Sequence, residues 1–161
     1  MNSLLAELKN YRYVCAPEQC GERVCCRRFD IAVTAAERER IGAQREELAS
    51  YCPWLAPMTA TELFTITPHF TLLKKRDDGL CVFNYAANGG YYCALHARAL
   101  ARGENPYRAK PRGCATWPFL ADNDGTLHLD KTAPCLRRLT PPAAQADENL
   151  SALISELSVE S

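Results

Sequence analysis

The chain has 161 residues, 47% of them apolar and 24% charged, with a formal net charge of zero. That length suits one domain with its own core, and the lack of a basic excess argues against a nucleic-acid binder whose affinity rests on phosphate neutralisation. Lys74-Lys75-Arg76 and Arg137-Arg138 are short basic runs of the kind that form solvated surface.

MNSLLAELKNYRY places Leu4, Leu5, Leu8 and Tyr11 at helical spacing, without the basic and then apolar stretches of a secretion signal. It predicts an amphipathic helix over 3–13. A cysteine loop over 15–27 follows. Thr34-Ala-Ala-Glu37 is a capping box, in which hydroxyl and carboxylate each accept from the other residue's amide. It predicts a helix to about Ala49, with Ile41 and Leu48 as a thin apolar face. CPWLAP, residues 52–57, ends that helix. LFTIT (63–67), FTLLK (70–74) and LCVFNY (80–85) are rich in β-branched and aromatic residues and read as strands, with Asp77-Asp78-Gly79 as the turn between the last two.

Residues 91–102 read as a helix stopped by Gly103, and 104–114 as a proline-containing loop. Residues 117–120 and 126–129 flank a second hairpin signal, Asp122-Asn-Asp-Gly125. After Pro141-Pro142, Leu150, Leu153, Ile154 and Leu157 predict a closing helix over about 143–158. No apolar run approaches the ~18 residues of a membrane span. The expected class is α+β: a small cysteine-rich metal-stapled domain, with helices packed around a short antiparallel sheet and long loops. It is expected as a single domain over 1–161, with a metal-binding cysteine core at about 15–135. Long connections in a compact domain call for something to hold them.

Nine cysteines carry the chemistry, four of them within the twelve residues Cys15 to Cys26. In a reducing cytoplasm, the expected location, structural disulfides are rare and clustered thiols bind metal or do redox work. Thiolate sets take zinc, copper(I) or iron–sulfur clusters. The adjacent pair Cys25 and Cys26 is strained as a double ligand to one tetrahedral ion. The two are therefore expected at different centres, or as one ligand and one packed residue. Cys52 stands apart and reads as a buried small hydrophobe. Eight candidate ligands remain: Cys15, Cys20, Cys25, Cys26, Cys81, Cys93, Cys114 and Cys135. His96, three residues after Cys93, reads as a packed or surface residue with ligation as the alternative. His69 and His128 read as structural or exposed. Arg112 is placed to donate to the Cys114 thiolate or to lie in an exposed loop.

The motif order CxxxxCxxxxCCRRFDIAVTAAE, GLCVF, YYCALHARAL and PRGCATWPF resembles that of the YkgJ-like cysteine-cluster proteins, described as zinc- or iron-chelating CxxCxxCC domains. The matching positions are Cys15, Cys20, Cys25 and Cys26, then Thr34 and Glu37, then Cys81, Cys93, Pro111, Cys114, Pro118 and Phe119. The first two spacers are longer than that family's usual ones, and Ala115 rather than arginine follows Cys114. A similar cysteine arrangement occurs in flagellin lysine-N-methylases, which look like iron–sulfur proteins, and this analogy points toward iron–sulfur.

Three functions compete. One is a protein holding one or two iron–sulfur clusters by cysteine thiolates, with an electron-transfer or redox role. Another is a structural zinc module that binds a partner protein without chemistry at the metal. The third is a thiol sensor, which needs an exposed cysteine of low pKa. The sequence holds no GxGxxG, P-loop, GxSxG or HExxH motif, so no reaction is named and catalysis is left open. The expected partner is a protein, redox or otherwise, with no nucleic acid and no membrane.

Overall fold

The computed structural model describes residues 11–13, 25–115, 117–121, 124, 126–133 and 135–138. Cys15, Cys20, the first part of the expected N-terminal helix and the closing helix at 143–158 lie outside the described residues. The chain divides into two compact units, Pro17–Ala115 and a second made of Met1–Ala16 with Thr116–Ser161. The architecture is α+β, as expected. Among the described residues, the strands form four separate two-stranded antiparallel ladders, where one short sheet was expected. No helix among these residues is long and apolar enough to cross a membrane.

In the larger unit, a one-turn helix α1 (Cys25–Arg28) precedes helix α2 (Ala35–Gly42). The capping box forms as read. The Glu37 amide donates to Thr34 Oγ1 at 3.2 Å, and the Thr34 amide donates to Glu37 Oε2 at 2.8 Å. The single helix expected to Ala49 is interrupted: α2 stops at Gly42 and α3 spans Arg45–Leu48. At Gly42 an added Cβ would lie 3.2 Å from the Ala60 Cβ, so the chain passes close to its neighbour there. Two 3₁₀ turns, Pro53–Leu55 and Thr61–Leu63, lead into strand β2 (Phe64–Ile66), paired with β3 (Thr71–Leu73). Ile41, Leu48, Cys52, Leu55, Leu63, Phe83 and Leu95 are fully buried and form the centre of the core.

The Asp77-Asp78-Gly79 turn is present. Gly79 has φ +82°, its amide donates to the Arg76 carbonyl at 2.9 Å, and Lys75 bridges Cys81. Beyond Cys81 the expected strand 80–85 becomes a turn, and strand β4 begins at Asn84 (Asn84–Ala87). It pairs with β5 (Gly90–Cys93) through Asn88-Gly89, whose φ values of 48° and 79° are both positive. That is the signature of a two-residue primed hairpin turn. The turn commits Tyr91, Tyr92 and Cys93 to a strand, so the helix expected over 91–102 starts only at Ala94 (α4, Ala94–Ala101). It ends as a Schellman motif: Gly103 (φ 67°) donates to the Leu100 carbonyl and Glu104 to the Ala99 carbonyl. The expected loop 104–114 holds two one-turn helices, α5 (Pro106–Ala109) and α6 (Arg112–Ala115).

In the smaller unit, β6 (Phe119–Ala121) pairs with β7 (Leu127–Leu129), matching the expected hairpin. Tyr11–Tyr13, expected as helix, is strand β1 and pairs with β8 (Leu136–Arg138). Two tyrosines in three residues suit a strand, and the partner lies more than a hundred residues along the chain, beyond any local pattern.

Candidate metal centre

Four chain segments of the larger unit deliver candidate thiols, and each is fixed by backbone contacts. The stretch from Cys25 to Val33 is stitched to the β3 hairpin. The Cys81 amide donates to the Cys26 carbonyl at 3.0 Å, the Leu73 amide to Ile31 and the Val33 amide to Thr71. Arg27 donates to the Asp78 carbonyl at 2.6 Å. Lys75 donates to the Arg27 carbonyl at 3.1 Å and pairs with Asp30 at 3.0 Å.

Cys81 and Asn84 are the ends of a β-turn, closed by the Asn84 amide donating to the Cys81 carbonyl at 2.9 Å. Trp54 holds that turn through its indole N–H to the Val82 carbonyl at 2.8 Å, with the Arg76 guanidinium 4.3 Å above the indole ring. Asn84 lies directly across from Cys93 in the β4–β5 ladder. Cys93 is the N-cap residue of α4 without a side-chain capping bond, while the His96 and Leu95 amides still favour its thiolate. Cys114 sits on α6. The Arg112 amide at the start of α6 donates to Glu37 Oε1 at 2.8 Å, so the capping-box carboxylate serves two helix starts. Gly113 faces Ile31 closely: an added Cβ would lie 3.4 Å from its Cγ2. Arg40 donates to the Ala109 carbonyl at 2.7 Å and holds α5 against α2.

The thiols delivered this way act on one another. The Cys26 thiol hydrogen-bonds to the Cys25 sulfur, which brings the Cys25 thiol down to about 6, helped by the Lys110 charge and opposed by desolvation. The same bond, then burial and the charges of Cys25, Cys93 and Cys81, holds the Cys26 proton on. The two neighbouring side chains therefore interact with each other. Burial pushes Cys81 up to about 12, with the charges of Cys93, Cys52 and Cys25 adding to it. Burial also raises Cys114, reinforced by Cys93, Cys81 and Cys25, and it raises Cys93. Lys110 counteracts the rise at both. Cys25, Cys26, Cys81, Cys93 and Cys114 thus share one electrostatic neighbourhood with one lysine beside it.

Among the described residues, no group of three or more His, Cys, Asp or Glu side chains is arranged to hold a metal ion, and the described cysteines are free thiols. The donor type suits a soft or borderline metal, because sulfur is the donor that recurs and a cation would offset the burial, and then the neighbouring charge, that disfavour the thiolates of Cys81, Cys93 and Cys114. Cys135 is buried in the smaller unit. Cys52 is fully buried in the core, within electrostatic reach of Cys81 and Cys93. His96 is half-buried and meets the edge of Tyr107, with ring centroids 6.3 Å apart, and Lys110 lies 5.1 Å above that same tyrosine ring. His69 and His128 are exposed.

Sequence reasoning missed two residues of this neighbourhood. Lys110 was legible only as part of a proline motif. Asn84 was legible only as a polar residue inside the apolar run LCVFNY. No family model matches the chain, and neither a curated protein nor a solved structure does.

Proposed function

We propose that the chain is a cysteine-cluster metal protein of the YkgJ-like kind, holding one or two iron–sulfur clusters by thiolates and acting in electron transfer or redox chemistry. One observation carries the reading. Four segments up to about ninety residues apart bring Cys25, Cys26, Cys81, Cys93 and Cys114 each within electrostatic or hydrogen-bonding reach of at least one other of these thiols. Ionising one buried thiol beside another thiolate is unfavourable, and a bound cation reverses the sign of that interaction. Cys25, Cys26, Cys81, Cys93 and Cys114 would hold the group; Cys15, Cys20 and Cys135 are the other candidate donors expected from the sequence. A bound cluster would supply one-electron chemistry, tuned by nearby charge and hydrogen bonds. The compartment proposed is the cytoplasm and the partner a redox protein. The alternative is zinc, closed off by thiolates and serving a protein-interaction module.

A second reading, a thiol-based redox switch, is favoured by one arrangement: Cys25 is exposed and its sulfur accepts a hydrogen bond from its neighbour Cys26. The test is metal and sulfide analysis with a visible spectrum on protein purified without oxygen. Broad absorbance near ~400 nm with iron and acid-labile sulfide supports the iron–sulfur reading. Colourless protein with stoichiometric zinc moves it to the alternative. Metal-free folded protein that loses the Cys25 and Cys26 thiols together on mild oxidation would replace both with the switch.

A further inference from the structure

The end of α2 and the segment 104–109 line a cleft of about 340 Å³, formed by Arg40, Gln44, Glu104, Asn105, Arg108 and Ala109. Small-molecule sites start at about this size, roughly 300 Å³. Its walls are fixed locally. The Glu104 amide donates to the Ala99 carbonyl at 2.8 Å, and Asn105 Oδ1 accepts from the Tyr107 amide at 2.9 Å, which sets the start of α5. Gln44 stands at the break between α2 and α3, where its amide donates to the Ile41 carbonyl at 3.0 Å. Arg40 spans the two walls, donating through Nη1 to the Ala109 carbonyl at 2.7 Å.

The unused hydrogen-bonding capacity of this cleft is cationic. The Glu104 carboxylate is already matched: Oε2 accepts from Arg98 at 3.0 Å and Oε1 from Arg102 at 3.1 Å. Arg40 uses one guanidinium nitrogen on Ala109, and a guanidinium carries five N–H donors. The Arg108 guanidinium is exposed, and among the described residues it has no hydrogen bond or ion pair. Gln44 is half-buried, and its Oε1 is buried without a hydrogen-bond partner. Turning that carboxamide toward a ligand therefore breaks no bond at Oε1. We propose that the cleft binds a small molecule carrying a carboxylate or phosphate group, with Arg40 and Arg108 as the charged donors and the Gln44 amide as a neutral one. The planar guanidinium fork matches both oxyanions. A cationic ligand would find no carboxylate here without a partner. The proposal does not depend on a metal at the cysteines, so the two readings stand or fall separately.

The test is calorimetric titration of the full-length protein with inorganic phosphate and, separately, with citrate. Low ionic strength is used, because salt screens exposed charge. The natural chain is compared with Arg108→Gln, Arg108→Lys and Arg38→Gln. Arg38 is exposed on α2 two residues before Arg40 and faces another way, so its loss removes surface charge without touching the cleft. Saturable one-to-one binding of at least one anion is expected, and the tighter of the two tells a phosphate ligand from a carboxylate one. Arg108→Gln is expected to weaken it roughly tenfold, the order of a lost charge-assisted hydrogen bond. Arg108→Lys, which keeps the charge, should lose less, and Arg38→Gln should bind as the natural chain does. Equal weakening in Arg38→Gln and Arg108→Gln would reveal diffuse attraction to surface charge and overturn the proposal. So would unweakened binding in Arg108→Gln, or no saturable binding of either anion by the natural chain. Melting temperatures of the same samples confirm that each variant is folded.

Discussion

The backbone amide of Cys81 donates to the carbonyl of Cys26 at 3.0 Å, joining two candidate ligands far apart along the chain of the larger unit. The bond ties the position of one thiol to the presence of the other, and the Arg27 contact to the Asp78 carbonyl reinforces it. Ligands this far apart in sequence converge only in folded chain, so metal affinity and folding are coupled. Cys25→Ser and Cys114→Ser are each expected to lower metal per chain by about half or more and to reduce soluble yield, since a serine hydroxyl is a poor donor to a soft metal. Elemental analysis of both variants checks this. Unchanged stoichiometry in both would remove these residues from the ligand set.

Cys52 makes the opposite case. It is fully buried among Ile41, Leu48, Leu55 and Leu63, and burial pushes its thiol up to about 12. It is near the thiol neighbourhood without belonging to it. Cys52→Ser is expected to leave metal content unchanged and to lower stability by about 1–3 kcal/mol, the cost of a hydroxyl in an apolar site. Urea unfolding of the loaded protein measures the second effect and metal analysis the first. Loss of metal from a variant that stays folded would make Cys52 a ligand.

What could be read from sequence divides by range. The Thr34–Glu37 capping box and the Gly103 helix stop are settled within four residues of chain, and both stand as read. The Asn88-Gly89 turn was equally local, yet Tyr91 to Arg102 carries a helical pattern strong enough to mask it. The positive φ values at those two residues override that pattern as far as Cys93. Tyr11–Tyr13 pairing with Leu136–Arg138 is a long-range contact with no local trace. At the site, cysteine spacing announced the donors. The place of Asn84 opposite Cys93 depends on a turn and a hairpin register that emerge only in the fold, and the position of Lys110 depends on α5.

Arg98 anchors a second polar cluster. Its side chain is 9% exposed and donates to Glu47 at 2.6 Å and to Glu104 at 3.0 Å, while Arg102 reaches the same two carboxylates at 2.8 and 3.1 Å. The cluster fastens α3 to the end of α4, the helix that Cys93 caps. Both carboxylates face solvent and rehydrate when their partner leaves, so Arg98→Met is expected to cost about 1–3 kcal/mol, less than breaking a fully buried pair. The Arg102 and Arg98 contacts hold the Glu47 carboxyl below its ordinary 4.5. A depressed carboxylate stabilises the fold above its unfolded pKa, and the effect is lost as pH falls through the folded value. Urea midpoints compared at neutral and strongly acidic pH should therefore show a smaller acid loss in Arg98→Met than in the natural chain. An equal loss in both would mean that the pairing with Arg98 contributes nothing to acid sensitivity.

His96 separates packing from ligation. Burial, with the Lys110 charge adding to it, lowers its pKa from 6.5 to about 4, so the ring packs against Tyr107 as a neutral group. The unfolded chain binds a proton on this ring near 6.5 and the folded chain does not until near 4. Its contribution to stability is thus fully present above the higher value and is lost as pH falls between the two. His96→Phe keeps an aromatic ring that can meet Tyr107 edge-on and cannot be protonated. Thermal unfolding of this variant is expected to lose part of the pH dependence between 6.5 and 4, with metal content unchanged. A variant that keeps the full pH slope would place the titration elsewhere. One that folds but sheds metal would move His96 from the wall of the site into its ligand set.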